Sequence, residues 1–190
     1  MLPPLISFLI GINVLAFILP YIYNFGSRFG SSFETFQRMG WKNNIDITNG
    51  EYYRLITSTF LHGDMFHLLF NMYSLYQIGP LAYQYFQAGR FGIIYLLSGI
   101  GGSLFSYFLN SSPSVGASGS IFGLIGALVA LAINRGNGDF LTSLIYIIGV
   151  NFFIGFLPGS RIDNFGHLGG LVTGFVIAYI MLNVLGPKIF

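Results

Sequence analysis

Six apolar stretches run along the chain, at residues 5–23, 66–82, 91–109, 117–133, 140–157 and 168–185. Each approaches the roughly 20 residues that an α-helix needs to cross the hydrocarbon of a bilayer, so the pattern predicts six spanning helices. Between them lie turn-forming breaks such as Ser111-Ser112-Pro113-Ser114, Arg135-Gly136-Asn137-Gly138-Asp139 and Leu157-Pro158-Gly159-Ser160. Short breaks make neighbouring helices antiparallel, so the second, fourth and sixth enter the membrane from one face. The one long connection, residues 24–56, holds Trp41 and half of the basic residues among interleaved aromatics. That composition suits a structure resting at the membrane interface. No internal repeat, low-complexity tract or soluble unit breaks the pattern, and residues 1–190 are read as a single membrane domain.

Composition points the same way. With 54% hydrophobic and 7% charged residues, the chain cannot cover a soluble surface. A formal net charge of +2 does not suggest nucleic acid as a partner, and the absence of cysteine removes disulfide and thiol chemistry. The first stretch lacks the basic start and small-residue cleavage site of a signal peptide, so it is read as a retained helix. The expected class is an all-α polytopic membrane protein.

Polar residues inside such a chain are informative, because an ionisable side chain is costly in hydrocarbon and marks a functional site by default. His67 and Asn71 lie four residues apart, on one face of the second helix. Ser118 lies in Gly116-Ala117-Ser118-Gly119 at the mouth of the fourth, and His167 in Gly166-His167-Leu168-Gly169-Gly170 at the entry of the sixth. Antiparallel order brings all four to one level. A serine beside an imidazole makes a nucleophile with its base, and acyl transfer also needs donors for the developing oxyanion. The Ser118 N–H, His67 and Asn71 are suited to that second task.

Small-residue stripes, Gly166, Gly170 and Gly174 against Gly119, Gly123 and Gly126, predict close backbone approach of the sixth and fourth helices. Phe122, one turn below Ser118, is placed to pack on His167. Asp163, in the loop with Arg161, is read as a solvated charge. No metal or cofactor is expected: the histidine spacing is not H-E-x-x-H and no carboxylate completes a ligand set. Ser120 stands where the soluble hydrolase elbow needs glycine.

The ordered set Glu51-Tyr52-Tyr53-Arg54, His62, His67-Leu68-Leu69-Phe70-Asn71, Gly116-Ala117-Ser118-Gly119, and Gly166-His167 followed by Gly170 and Gly174 resembles the rhomboid intramembrane serine proteases in their compact six-helix form. The resemblance implies Ser118 as nucleophile and His167 as general base. It implies an oxyanion site of His67, Asn71 and the Ser118 N–H lined by Gly116, with Gly119, Phe122 and Gly170 in support and Arg54 folding the long connection. It further implies hydrolysis of a peptide bond in or near the transmembrane segment of single-span membrane proteins, within the bilayer, with the plasma membrane of a prokaryote as the expected location. After Gly79-Pro80 the family usually carries a glutamate, and here Tyr83 stands in that place. Substrate entry is expected between the fifth helix, with Phe152, Phe153 and Phe156, and the start of the second around Phe66 and Phe70. A small transporter would show repeat symmetry or broken helices, which the sequence lacks. A catalytically inactive rhomboid-like protein binding membrane clients would lack the serine or the histidine, and both are present.

Overall fold

The computed structural model describes residues 1–23 and 33–184. Expectations attached to residues 24–32 of the long connection, and to residue 185 at the end of the sixth stretch, lie outside the described residues. Along the chain run α1 (Pro4–Tyr23), α2 (Phe33–Met39), α3 (Asn44–Thr48), α4 (Arg54–Thr57), a 3-10 turn (Ser58–Phe60), α5 (Met65–Leu109), α6 (Ser118–Asn134), α7 (Gly138–Gly155) and α8 (Asn164–Val184). No strand forms among the described residues, although an isolated bridge pairs Lys42 with Ser114.

Helix α5 joins the second and third stretches where a loop at residues 83–90 was expected. Drawn out straight, its 45 residues would reach roughly 68 Å, about twice the hydrocarbon thickness. Instead Gln87 takes φ 55° and ψ 175°, and Ser58, ahead of the helix, shares a 3.2 Å hydrogen bond with Ser103 near its far end. The helix therefore doubles back as two limbs, residues 65–86 and 88–109. The polar residues of the expected loop, Gln84, Gln87 and Arg90, tolerate helix, so one left-handed residue is enough to reverse the chain. The six membrane-crossing segments are then α1, the two limbs, α6, α7 and α8. Tyr83 packs on Phe91 at 5.7 Å between ring centroids, so an apolar contact joins the limbs where the resemblance implies a glutamate.

Helix α6 is the axis of the bundle: every residue from Ser120 to Ala132 except Val129 is buried, mainly against α8 and α5. Helix α7 is peripheral. Only its Leu144 is buried, and Ile145, Tyr146, Phe153 and Ile154 are exposed. An apolar exterior on helices that satisfy their own backbone hydrogen bonds is what a hydrocarbon solvent selects.

Glycine sets how close α6 and α8 come. A methyl group built on Gly170 would land on the Gly119 carbonyl, and one on Gly174 on the Gly123 carbonyl. The distal limb of α5 joins this contact through Gly102, where a Cβ would lie 2.7 Å from the Gly166 oxygen. The obstacle in each case is backbone, which cannot rotate aside. Gly174→Ala is therefore expected to lose about 3 kcal/mol or more in detergent unfolding. Gly149→Ala, on α7 with nothing within 4 Å, should be neutral or gain up to about 1 kcal/mol in helix propensity. Equal unfolding midpoints for the two variants would contradict this packing.

Candidate active site

Gly116 is the pivot of the polar cluster. It lies in the loop before α6 with φ +129°, a conformation that favours glycine, and its N–H donates to the Ser58 carbonyl at 2.9 Å. A Cβ there would sit 2.7 Å from His67 Nε2 and 3.8 Å from Ser118 Oγ. The missing side chain thus leaves a gap that His67 and Ser118 both border. His67 is fixed by the first turn of α5, where Asp64 accepts its N–H at 2.9 Å. Asn71, one turn on and buried, donates from Nδ2 to the His67 carbonyl at 2.9 Å. A carboxamide nitrogen carries two hydrogens, so a second remains for another acceptor. His62 packs edge-on against His67 with centroids 5.1 Å apart. Burial, and then the neighbouring His67, push the His62 imidazole down to about 3, which keeps it neutral at physiological pH.

Ser118 opens α6, and the way that helix starts matters. Helices α5 and α7 begin under side-chain caps from Asp64 and Asn137, whereas α6 follows Ala117, which offers none. First-turn amides have no intrahelical partner, so the Ser118 hydroxyl stands beside free backbone donors at a helix N-terminus, a setting that favours negative charge. A cavity of about 30 Å³ adjoins it, bordered by Ser58, Ser103, Ser114, Gly116 and Asp163. That volume admits one or two waters.

His167 lies in the first turn of α8, at the entry where it was expected, although the helix begins at Asn164, a turn ahead of the predicted stretch. Its ring stacks on Phe122, centroids 4.2 Å apart and planes 15° off parallel, and meets the edge of Phe152 at 6.4 Å. Nδ1 is buried without a hydrogen-bond partner among the described residues. The described hydrogen bonds likewise include none between Ser118 and His167. The expected packing of the fifth helix needs correction. Phe152 packs on Phe122 and His167, while Phe153, Phe66 and Phe70 are 68%, 73% and 70% exposed and so are not packed on one another.

Asp163 is also corrected: it is not a solvated charge. Its carboxylate accepts from the Ser106 hydroxyl, from Asn110 Nδ2 at 3.1 Å and from the Gly166 N–H at 3.1 Å. Burial pushes this carboxyl upward, yet the donors together outweigh it and hold the group below the usual aspartate range. An aspartate just before a helical apolar run is an N-cap signal, which was available in the sequence. Lys42 carried no such signal. It is fully buried, with Nζ donating to the carbonyls of Asn110 at 2.6 Å and Ser112 at 3.0 Å. Arg54 holds the rest of the connection, pairing with Glu51 at 2.7 Å and Asp46 at 3.2 Å while donating to the carbonyls of Gln37 and Trp41.

An apolar exterior and a reversed long helix define the class as a polytopic helical membrane protein, which carries buried Asn71 and His167 and half-buried His67 and Ser118. Residues 49–184 match the Rhomboid domain, and the chain belongs to the rhomboid family. It is 42% identical over 173 residues to Rhomboid protease GluP of Bacillus subtilis (strain 168), covering 89% of this chain and 33% of that protein. It is 41% identical over 162 residues to the mitochondrial RHOMBOID-like protein 6 of Arabidopsis thaliana, 80% of this chain and 52% of the relative. Inactive RHOMBOID-like protein 8 of the same plant is 41% identical over 153 residues, 76% of this chain and 42% of the relative. The chain thus spans between a third and a half of these relatives' length. Bacterial and plant mitochondrial proteins share the domain, so the domain marks an integral membrane protein without fixing the compartment.

Burial pushes Lys42 down to about 8, opposed by the nearby Asp163 carboxylate. A depressed folded-state value means that the unfolded chain binds more protons between about pH 8 and 10.5. The contribution of Lys42 to folding is full above that window and lost as pH falls through its lower edge. Wild type should therefore gain thermal stability relative to Lys42→Gln as detergent solutions are taken from about pH 8 to about pH 10. A difference that stays flat with pH would contradict the buried setting of this ammonium.

Proposed function

We propose that the chain is an intramembrane serine endopeptidase in which Ser118 and His167 act as a dyad. The observation that carries the reading is the placement of Ser118 at an uncapped helix start, beside Gly116 and His67, with the His167 ring stacked one turn below on Phe122. Ser118 Oγ attacks the scissile carbonyl carbon while His167 takes its proton. The resulting oxyanion accepts hydrogen bonds from the Ser118 N–H, His67 and Asn71. Collapse breaks the C–N bond, and His167 returns the proton to the leaving amine. Water then attacks the acyl-serine with His167 again as base, which frees the acid and restores Ser118.

The substrate is a membrane-anchored protein with a single span, entering from lipid on the side of α7. That helix is the least embedded of the bundle, and its Phe152 is the side chain that reaches the site. A second reading, a catalytically inactive member that binds membrane clients, is kept because a relative of similar identity is named inactive.

A fluorophosphonate separates the two. Purified protein should label at Ser118, lose the label in Ser118→Ala and lose most of it in His167→Ala; a label retained by Ser118→Ala would refute the nucleophile. Removal of an oxyanion donor typically costs about 10²–10³ in turnover, so folded Asn71→Ala should cleave a model transmembrane substrate at least about a hundredfold more slowly. Wild-type turnover by that variant would remove Asn71 from the site.

A further inference from the structure

The base of this site lacks the support that a histidine base commonly has. In serine hydrolases a carboxylate hydrogen-bonded to the second ring nitrogen fixes the imidazole. Here His167 Nδ1 is buried with no partner among the described residues. The ring is held by stacking on Phe122 and by the edge of Phe152. Stacking leaves a ring free to slide in its own plane, so its position along the Ser118 direction depends on where the backbone of α8 places its Cα.

That backbone is set by Asp163. The His167 N–H donates to the Asp163 carbonyl at 3.0 Å, the first bond of the helix. The Asp163 carboxylate accepts the Gly166 N–H, capping the turn that carries His167. The same carboxylate takes the Ser106 hydroxyl and the Asn110 amide from the end of α5. One side chain therefore ties the first turn of α8 to the distal limb of α5. Asn110 is in turn gripped at its carbonyl by Lys42. Gly166 permits the arrangement from both sides: a Cβ on it would come within 3.0 Å of Asp163 Oδ2, and its own carbonyl abuts Gly102.

We propose that Asp163 is a positioning residue for the proteolytic reaction, fixing His167 against Ser118 by clamping the start of α8 to the end of α5. The proposal rests on the protease reading above and deepens it: the carboxylate that orients the base does so through the helix backbone, from one turn away, instead of through the ring.

The test measures kcat and KM for a single-span substrate with the full chain in detergent, alongside the unfolding temperature. Asp163→Ala, which removes cap and clamp, should lower kcat by about tenfold to a hundredfold, as small misplacements of catalytic groups do, with KM within about twofold. Asp163→Asn keeps an oxygen for the Gly166 N–H and should recover to within about threefold of wild type. Ser106→Ala, which leaves the cap intact and removes one clamp donor, should show a smaller fall in kcat of about threefold, and it stands in if Asp163→Ala does not fold. An active wild type whose folded Asp163→Ala, or in its place Ser106→Ala, keeps the wild-type kcat overturns the role of Asp163 alone. So does an Asp163→Asn variant as impaired as Asp163→Ala. A wild type inert toward both substrate and fluorophosphonate overturns the protease reading on which the proposal stands.

Discussion

The contact on which everything else depends is backbone against backbone, where α6 and α8 meet at Gly119 and Gly170, and again at Gly123 and Gly174. In lipid there is no hydrophobic drive to pull two apolar helices together, so close packing has to supply the attraction. The same closeness decides the chemistry. Phe122 on α6 reaches His167 on α8 as a stacked ring because no side chain keeps the two helices apart. The candidate nucleophile and base are each carried by one of these helices, Ser118 next to Gly119 and His167 about one turn before Gly170.

Around this dry contact the protein builds a polar rim. The described part of the long connection is held by Arg54 and by Lys42, whose ammonium grips the loop at residues 110–112. That loop leads to Gly116, which sets His67 beside Ser118. Asp163 closes the rim on the far side. The cavity next to Ser118 is thus bordered by hydroxyls and a carboxylate, a polar lining that suits water, while lipid-facing helices surround it. Hydrolysis inside a membrane needs that combination.

Much of this was legible in the sequence. The apolar periods yielded the spanning helices, the glycine spacing yielded the α6–α8 contact, and the few polar residues in apolar runs singled out His67, Asn71, Ser118 and His167 as candidates. The errors share a cause. The reversal at Gln87, the inward turn of Phe152 in place of Phe153, the burial of Lys42 and the hydrogen bonds that Asp163 accepts from Ser106 and Asn110 depend on neighbours distant in sequence, which periodicity does not report. Gln87 reads as an ordinary helix former, and neighbouring phenylalanines on a lipid-facing helix differ only in which one meets α6. Asp163 is legible only in part: its place before the apolar run signals the cap on Gly166, but not its bonds to Ser106 and Asn110, 57 and 53 residues away.

The proposed dyad requires Ser118 and His167 to meet in one reactive site, although no side-chain hydrogen bond joins them in the described structure. A mechanism-based chloroisocoumarin tests it directly: attack by a serine opens the lactone to an acyl-enzyme and unmasks an electrophile that alkylates a nucleophile within reach. Mass spectrometry of the digested adduct should find one reagent joining the peptide with Ser118 to the peptide with His167, and no adduct in Ser118→Ala. A reagent bound to Ser118 but joined to a residue outside the His67–His167 cluster, or an adduct that persists in Ser118→Ala, would contradict the account.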